Sequence, residues 1–146
     1  MTSKELDNLV RTNLLKSEPA KQSEIDGLLQ AGHVRLVDAK NLQNSLESRF
    51  DLAYNAAHSL SLAALRLRGY RPNKSRFVVF QVLPHTLGLK TEIWRVLDKC
   101  HGLRNSAEYE GYFEVNEQIL TDLIKSTEAV LDALKKSMPA QKRNEK

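Results

Sequence analysis

The sequence predicts an all-α fold, an antiparallel up-down bundle of four main helices with short additional helices between them. Three observations lead there. Apolar residues recur at three- and four-residue spacing through most of the 146 positions, the spacing that lines one face of a helix. Residues that cap or stop helices fall at the ends of those runs. The connections left over are short, which makes consecutive helices antiparallel neighbours. One domain is expected over residues 1–136, with a disordered basic tail over 137–146, because the chain is long enough for one sizeable core and too short for two.

Thr2 and Glu5 stand at capping-box spacing, and Leu6, Leu9, Val10 and Leu14 form a narrow apolar face, so a first short helix should end near Lys16. Pro19 separates it from the next. From Glu24 to Arg68 the helical period continues without proline, well beyond the roughly 8–20 residues of ordinary globular helices. Asn44 with Glu47 supplies a break, giving a second helix over about Ser23 to Gln43 and a third over about Ser45 to Arg68, closed by Gly69 and then Pro72. In the third helix Phe50, Tyr54, Ala57, Ser61 and Ala64 form a seam of mostly small residues that lets a neighbour pack closely. Phe77 to Leu87 begins like a strand, but one strand without a partner leaves backbone groups unpaired, so a short helix ending near Gly88 is expected. Thr91 caps the next helix and Gly111 helps to stop it. The last helix runs from about Asn116 to Lys136 with Ile119, Leu123, Val130 and Leu134 facing inward, and beyond Pro139 the chain is too polar to fold.

With 41% hydrophobic and 27% charged residues the composition is that of a soluble protein. No apolar run approaches a membrane span, and the first residues lack the apolar core of a signal peptide, so a cytoplasmic location is expected. Cys100, the single cysteine, lies on an apolar stripe and reads as an inert core thiol; disulfides and a cysteine-based zinc site are excluded. Of 22 basic and 18 acidic residues, five and one lie from Lys135 onward, so the folded body is balanced. Within it charge is divided. No acid occurs between Asp51 and Glu92, a stretch holding Arg66, Arg68, Arg71, Lys74, Arg76 and Lys90, whereas Asn105 to Leu134 is acidic apart from Lys125. Such blocks suit either a phosphate-facing surface or matched packing of helices or subunits.

Arg104 is the residue that most asks for a function. Ile93, Leu97, Cys100, Arg104 and Ala107 share one stripe of the Thr91 helix, so Arg104 interrupts an apolar seam. A guanidinium buried without a partner costs several kcal/mol, so a carboxylate, a neighbouring subunit or a bound phosphate is expected beside it. His101, Arg104 and Glu108 lie at i, i+3 and i+7 and could converge on one rim; the plainer arrangement is an Arg104–Glu108 pair within the helix and a solvated His101. His58 lies beside Asp51 and Asn55, where a carboxylate would raise its basicity or a local hydrogen bond would simply hold it. Trp94 reads as packing. There is no phosphate-cradling glycine loop, no His-Glu-x-x-His pattern and no calcium-loop cluster, and Ser59, Ser61, Ser75 and Ser106 lack a triad context.

Three pieces together, Asp51-Leu52-Ala53-Tyr54-Asn55-Ala56-Ala57-His58, the Gly69-Tyr70-Arg71-Pro72 turn with Phe80-Gln81-Val82-Leu83-Pro84, and Leu103-Arg104-Asn105, resemble the HEPN family of small helical domains of prokaryotic toxin–antitoxin and defence systems. The resemblance covers most of Asn44 to Leu134. It implies a homodimer with two arginine helices around a shared cleft, acting on RNA as a metal-independent endoribonuclease without a cofactor. Family members carry an arginine followed after four to six residues by a histidine. Here Arg104 and Asn105 match the start, and Tyr109, Glu110 and Gly111 occupy the histidine positions. Cleavage at a 2′-hydroxyl needs a group titrating near neutrality, whereas a tyrosine hydroxyl, protonated at pH 7, is a hydrogen-bond donor to phosphate. The expected catalytic set is therefore Arg104, Asn105, Tyr109, Glu108 and His101, and the nucleotide- or RNA-binding set is Asp51, Asn55, His58, Arg71 and Arg76. The alternative is a non-catalytic module of the same type that binds a nucleotide or a partner such as an antitoxin or a nucleotidyltransferase.

Overall fold

A computed structural model describes residues 3–110 and 114–138, and the side chains of 107–110 lie outside that description. Among these residues the chain runs α1 (Lys4–Arg11), β1 (Leu15–Ser17), α2 (Gln22–Ala39), α3 (Leu46–Leu67), β2 (Tyr70–Pro72), α4 (Val78–Gln81), α5 (Leu83–Thr86), α6 (Thr91–Glu110) and α7 (Glu117–Ser137). The architecture is an all-α helical bundle carrying one small two-stranded sheet. No described helix is long and apolar enough to cross a membrane.

Helix α3 is the spine. Its inward positions are mostly alanine, and Ala53, Ala56, Ala57, Ala63 and Ala64 are fully buried, so α2 and α7 approach its backbone closely. Gly32 of α2 shows how closely: a Cβ there would lie 2.5 Å from Leu60 Cγ. Contacts between Arg49 and the Ala39 carbonyl, Leu60 and Gly32, and Arg66 and Glu24 advance along α3 while retreating along α2. The two helices therefore form an antiparallel hairpin. Helix α7 contributes Leu120, Leu123, Val130, Leu131 and Leu134 to the same core, as its apolar period predicts, while Ile119 is only partly buried.

Side-chain caps set the helix starts. Ser45 accepts from the Ser48 N–H at 3.1 Å and Asn116 from the Ile119 N–H at 2.8 Å. The break between α2 and α3 thus uses Ser45, one residue past the Asn44 signal. Gly69, at φ 91°, ends α3 in the left-handed region, where its missing Cβ removes the steric cost.

Two expectations need correction. The first helix does not reach Lys16: it is capped by Ser3, ends at Arg11, and the chain reverses through Asn13 at φ 66°, a conformation asparagine tolerates. Leu15–Ser17 then pairs antiparallel with Tyr70–Pro72, Leu15 opposite Pro72 and Ser17 opposite Tyr70. The sheet satisfies backbone groups on both sides of the turn after α3, so Leu15 is buried from a strand and not from a helix. The Phe77–Leu87 stretch is helical, but as two single turns, with Pro84 admitted in the first turn of α5 where no N–H is required. Gly111 and the tail from Pro139 onward lie outside the described residues.

Candidate functional site

Helices α3 and α6 lie side by side with α4 against both. The aromatic residues that α4 and α3 bury form the floor of a cleft. Phe80 meets the rings of Tyr54, His58 and Phe77 edge-on, at centroid distances of 5.7, 6.0 and 5.9 Å. Phe77 in turn stacks on His101 of α6 at 4.2 Å. Over this floor Tyr54, Asn55 and His58 project from α3, Arg76 and Phe77 from the segment before α4, and His101, Arg104 and Asn105 from α6, enclosing about 170 Å³.

Arg104 is not sealed in a seam. It is partly exposed, because the stripe that buries Leu97 and Cys100 meets the cleft one turn later. Its Nη1 donates to Asn55 Oδ1 at 3.0 Å and its guanidinium lies over the Tyr54 ring, 4.8 Å from the centroid. Both partners are neutral. These two contacts hold the side chain, and no described residue cancels its charge.

His101 also departs from the solvated arrangement. Tyr54 Oη lies 2.8 Å from its Nδ1, and Asn105 Nδ2 lies 3.1 Å from its Nε2. The amide nitrogen can only donate, so Nε2 accepts, the ring proton sits on Nδ1, and Tyr54 Oη receives it. One tautomer of the neutral imidazole is thereby selected.

Of the two readings of His58, the structure opposes the raised basicity and agrees with the local hydrogen bond. Burial first, and then the Arg76 guanidinium, push its pKa down to about 4. A hydrogen bond to the Arg76 backbone opposes the shift without reversing it. Nε2 is buried with no partner among the described residues, so the ring meets Arg76 through Nδ1–H, and Nε2 is an unused acceptor.

Of the expected residues, the fold brings Arg104, Asn105, His101, Asn55, His58 and Arg76 around one cleft. Arg71 lines a neighbouring, larger cleft, which Arg76 and His58 also line. Asp51 is exposed and lines neither. The side chains of Glu108 and Tyr109 lie outside the described residues. Two members of the cleft carried no site reading: Tyr54, hidden in the alanine seam, and Phe77, whose neighbours say strand. Tyr54 could have been found from its hydroxyl, a polar tip at a buried position that needs a partner; Phe77 has no such local signal. Cys100 is buried and its thiol is pushed up to about 12 by burial, as an inert core cysteine should be.

Among the described residues the cleft wall contains the cations Arg76 and Arg104 and no carboxylate. Neither cation forms an ion pair with any described residue. Among the described residues no group of three His, Cys, Asp or Glu side chains is placed to hold a metal ion. Such a cleft can attract and orient an anion, and it can offer a neutral imidazole beside it. No family model, curated protein or solved structure matches the chain.

Proposed function

We propose that the protein is a HEPN-type domain that holds an RNA phosphodiester against Arg104 and Asn105 and cleaves it without metal assistance, with His101 serving where family members use a histidine after the arginine. The observation that carries this reading is a tautomer-selected histidine beside an arginine that forms no ion pair with a described residue, in one cleft. Arg104 has N–H donors beyond the one given to Asn55, and these suit two phosphate oxygens and the charge that grows on them. Asn105 is exposed and can turn its amide from His101 to the phosphate. His101 Nε2 then takes the proton of the 2′-hydroxyl, the 2′-oxygen attacks phosphorus, and the 5′-oxygen leaves with a proton from solvent, giving a 2′,3′-cyclic phosphate. The resemblance adds a homodimer, and an antitoxin or nucleotidyltransferase as partner within a toxin–antitoxin or defence module.

Purified protein in excess chelator is expected to cleave single-stranded RNA, and Arg104→Ala and His101→Ala are each expected to abolish cleavage with helix content unchanged by circular dichroism. Cleavage that survives Arg104→Ala contradicts the assignment. A second reading, binding without turnover, is favoured by one observation: both His101 ring nitrogens are already engaged. It predicts salt-dependent association of RNA or nucleotide with no product formed.

A further inference from the structure

The Arg104 cleft is small. Its roughly 170 Å³ lies below the roughly 300–1,000 Å³ of ordinary ligand sites, room for a phosphate and part of a sugar but not for a nucleobase as well. Beside it lies a second cleft of about 510 Å³, and the wall between the two is made by His58 and Arg76, which line both. Leu28 of α2 and Leu62 of α3 give this second cleft an apolar floor, and Arg71 and Lys74 stand on its exposed rim. Its two carboxylates are both committed: Glu24 to Arg66 by hydrogen bonds of 2.8 and 3.2 Å, and Glu18 to Arg66 at 3.4 Å and to Arg71, whose Nη1 donates to both of its oxygens at 3.3 Å. Lys74 and Arg76 form no ion pair with a described residue. Along the two clefts the cations therefore follow one another as Arg104, Arg76, then Lys74 and Arg71, on a chain whose folded body is otherwise balanced in charge.

We infer that the two clefts are consecutive subsites of one groove for single-stranded RNA: a phosphodiester sits between Arg104 and Arg76, the adjoining nucleoside fills the larger cleft over Leu28 and Leu62, and its outer phosphate lies against Lys74 and Arg71. This rests on the RNA reading above and extends it from one phosphate to a run of at least two. The apolar floor suits the face of a base, and the rim cations suit its phosphates. The unused acceptor on His58 Nε2 stands in the dividing wall, where a base N–H can satisfy it once the exposed Arg76 side chain shifts.

The test is a length series of 2′-O-methyl oligouridylates, which cannot be cleaved, titrated at low salt by fluorescence anisotropy. A trimer, with two phosphodiesters, should bind about tenfold tighter than a dimer, with little further gain for a tetramer, and its salt slope should be steeper by about 0.7, the value of one single-strand phosphate contact. Lys74→Ala and Arg71→Ala should weaken the trimer about fivefold more than the dimer, whereas Arg104→Ala should weaken both alike. Equal affinities of dimer and trimer, or equal losses for both in Lys74→Ala, overturn the two-subsite groove while leaving a single-phosphate site standing. If no oligomer associates at low salt, the RNA reading falls and the groove with it.

Discussion

Arg66 and Arg104 are two arginines held by different means, and the difference separates the scaffold from the site. Arg66 is 4% exposed and spends every donor on the protein. Its Nε and Nη2 meet Glu24, its Nη1 meets the carbonyls of Glu18 and Tyr70, and Nη2 also reaches the Pro19 carbonyl. It thus ties the end of α3 to β2, to the start of α2 and to the linker before it, and two carboxylates cancel its charge. Arg104 is partly exposed, is held by one amide oxygen and one ring face, and forms no ion pair with a described residue. A cation whose hydrogen bonds and charge are both satisfied internally holds a fold together. A cation that is positioned but not neutralised remains able to bind an anion.

The comparison breaks first at Arg66. Arg66→Ala leaves three carbonyls short of a donor, Glu24 without its ion-pair partner and Glu18 with Arg71 alone, and is expected to cost about 3 kcal/mol in urea unfolding. A loss under about 1 kcal/mol would mean that Arg66 is no more structural than Arg104. Next comes His58, which shares the site but is buried neutral. Its folded pKa, about 4, lies below the ordinary 6.5. The unfolded chain therefore takes up the proton first, and stability present above pH 6.5 is lost as pH falls toward 4, by about 2 kcal/mol after allowance for its partial exposure. His58→Gln should flatten that acid limb, and an unchanged limb would show that another group causes it.

Smaller effects sharpen the scaffold side. Gly32→Ala gains helix propensity but drives a Cβ into Leu60, so a net loss of about 1 kcal/mol is expected; a gain would show that α2 and α3 can separate cheaply. Lys40→Ala removes an exposed ion pair to Glu128 and should change stability by about 0.5 kcal/mol or less.

Legibility in the sequence follows the same division. The starts of α3 and α7 and the buried faces of α3 and α7 could be read because caps and apolar periods are local. The sheet could not, since three-residue strands carry no period and Leu14, which continues the apolar face of the helix before it, is exposed once the chain turns. Arg66 reads only as part of a basic block because its acidic partners lie 42 and 48 residues away, in the first turn of α2 and in the linker before it. Arg104 reads in the sequence as an interruption of a buried seam, and the structure holds it otherwise. Its stripe is apolar up to Cys100, but α6 leaves the core there, and the groups that hold Arg104 come from α3. His101 and Asn55 could be placed on helix faces from spacing, whereas the contact between those faces is a tertiary fact that spacing does not contain.

On the proposed function, Arg104 binds RNA and its removal leaves the fold intact. Arg104→Ala should therefore be titrated with single-stranded RNA at low salt, with the thermal unfolding midpoint measured on the same sample beside the wild type. Association is expected to be lost while the midpoint stays where it was. Wild-type affinity in the variant, or a collapse of the midpoint comparable to that of Arg66→Ala, would contradict it.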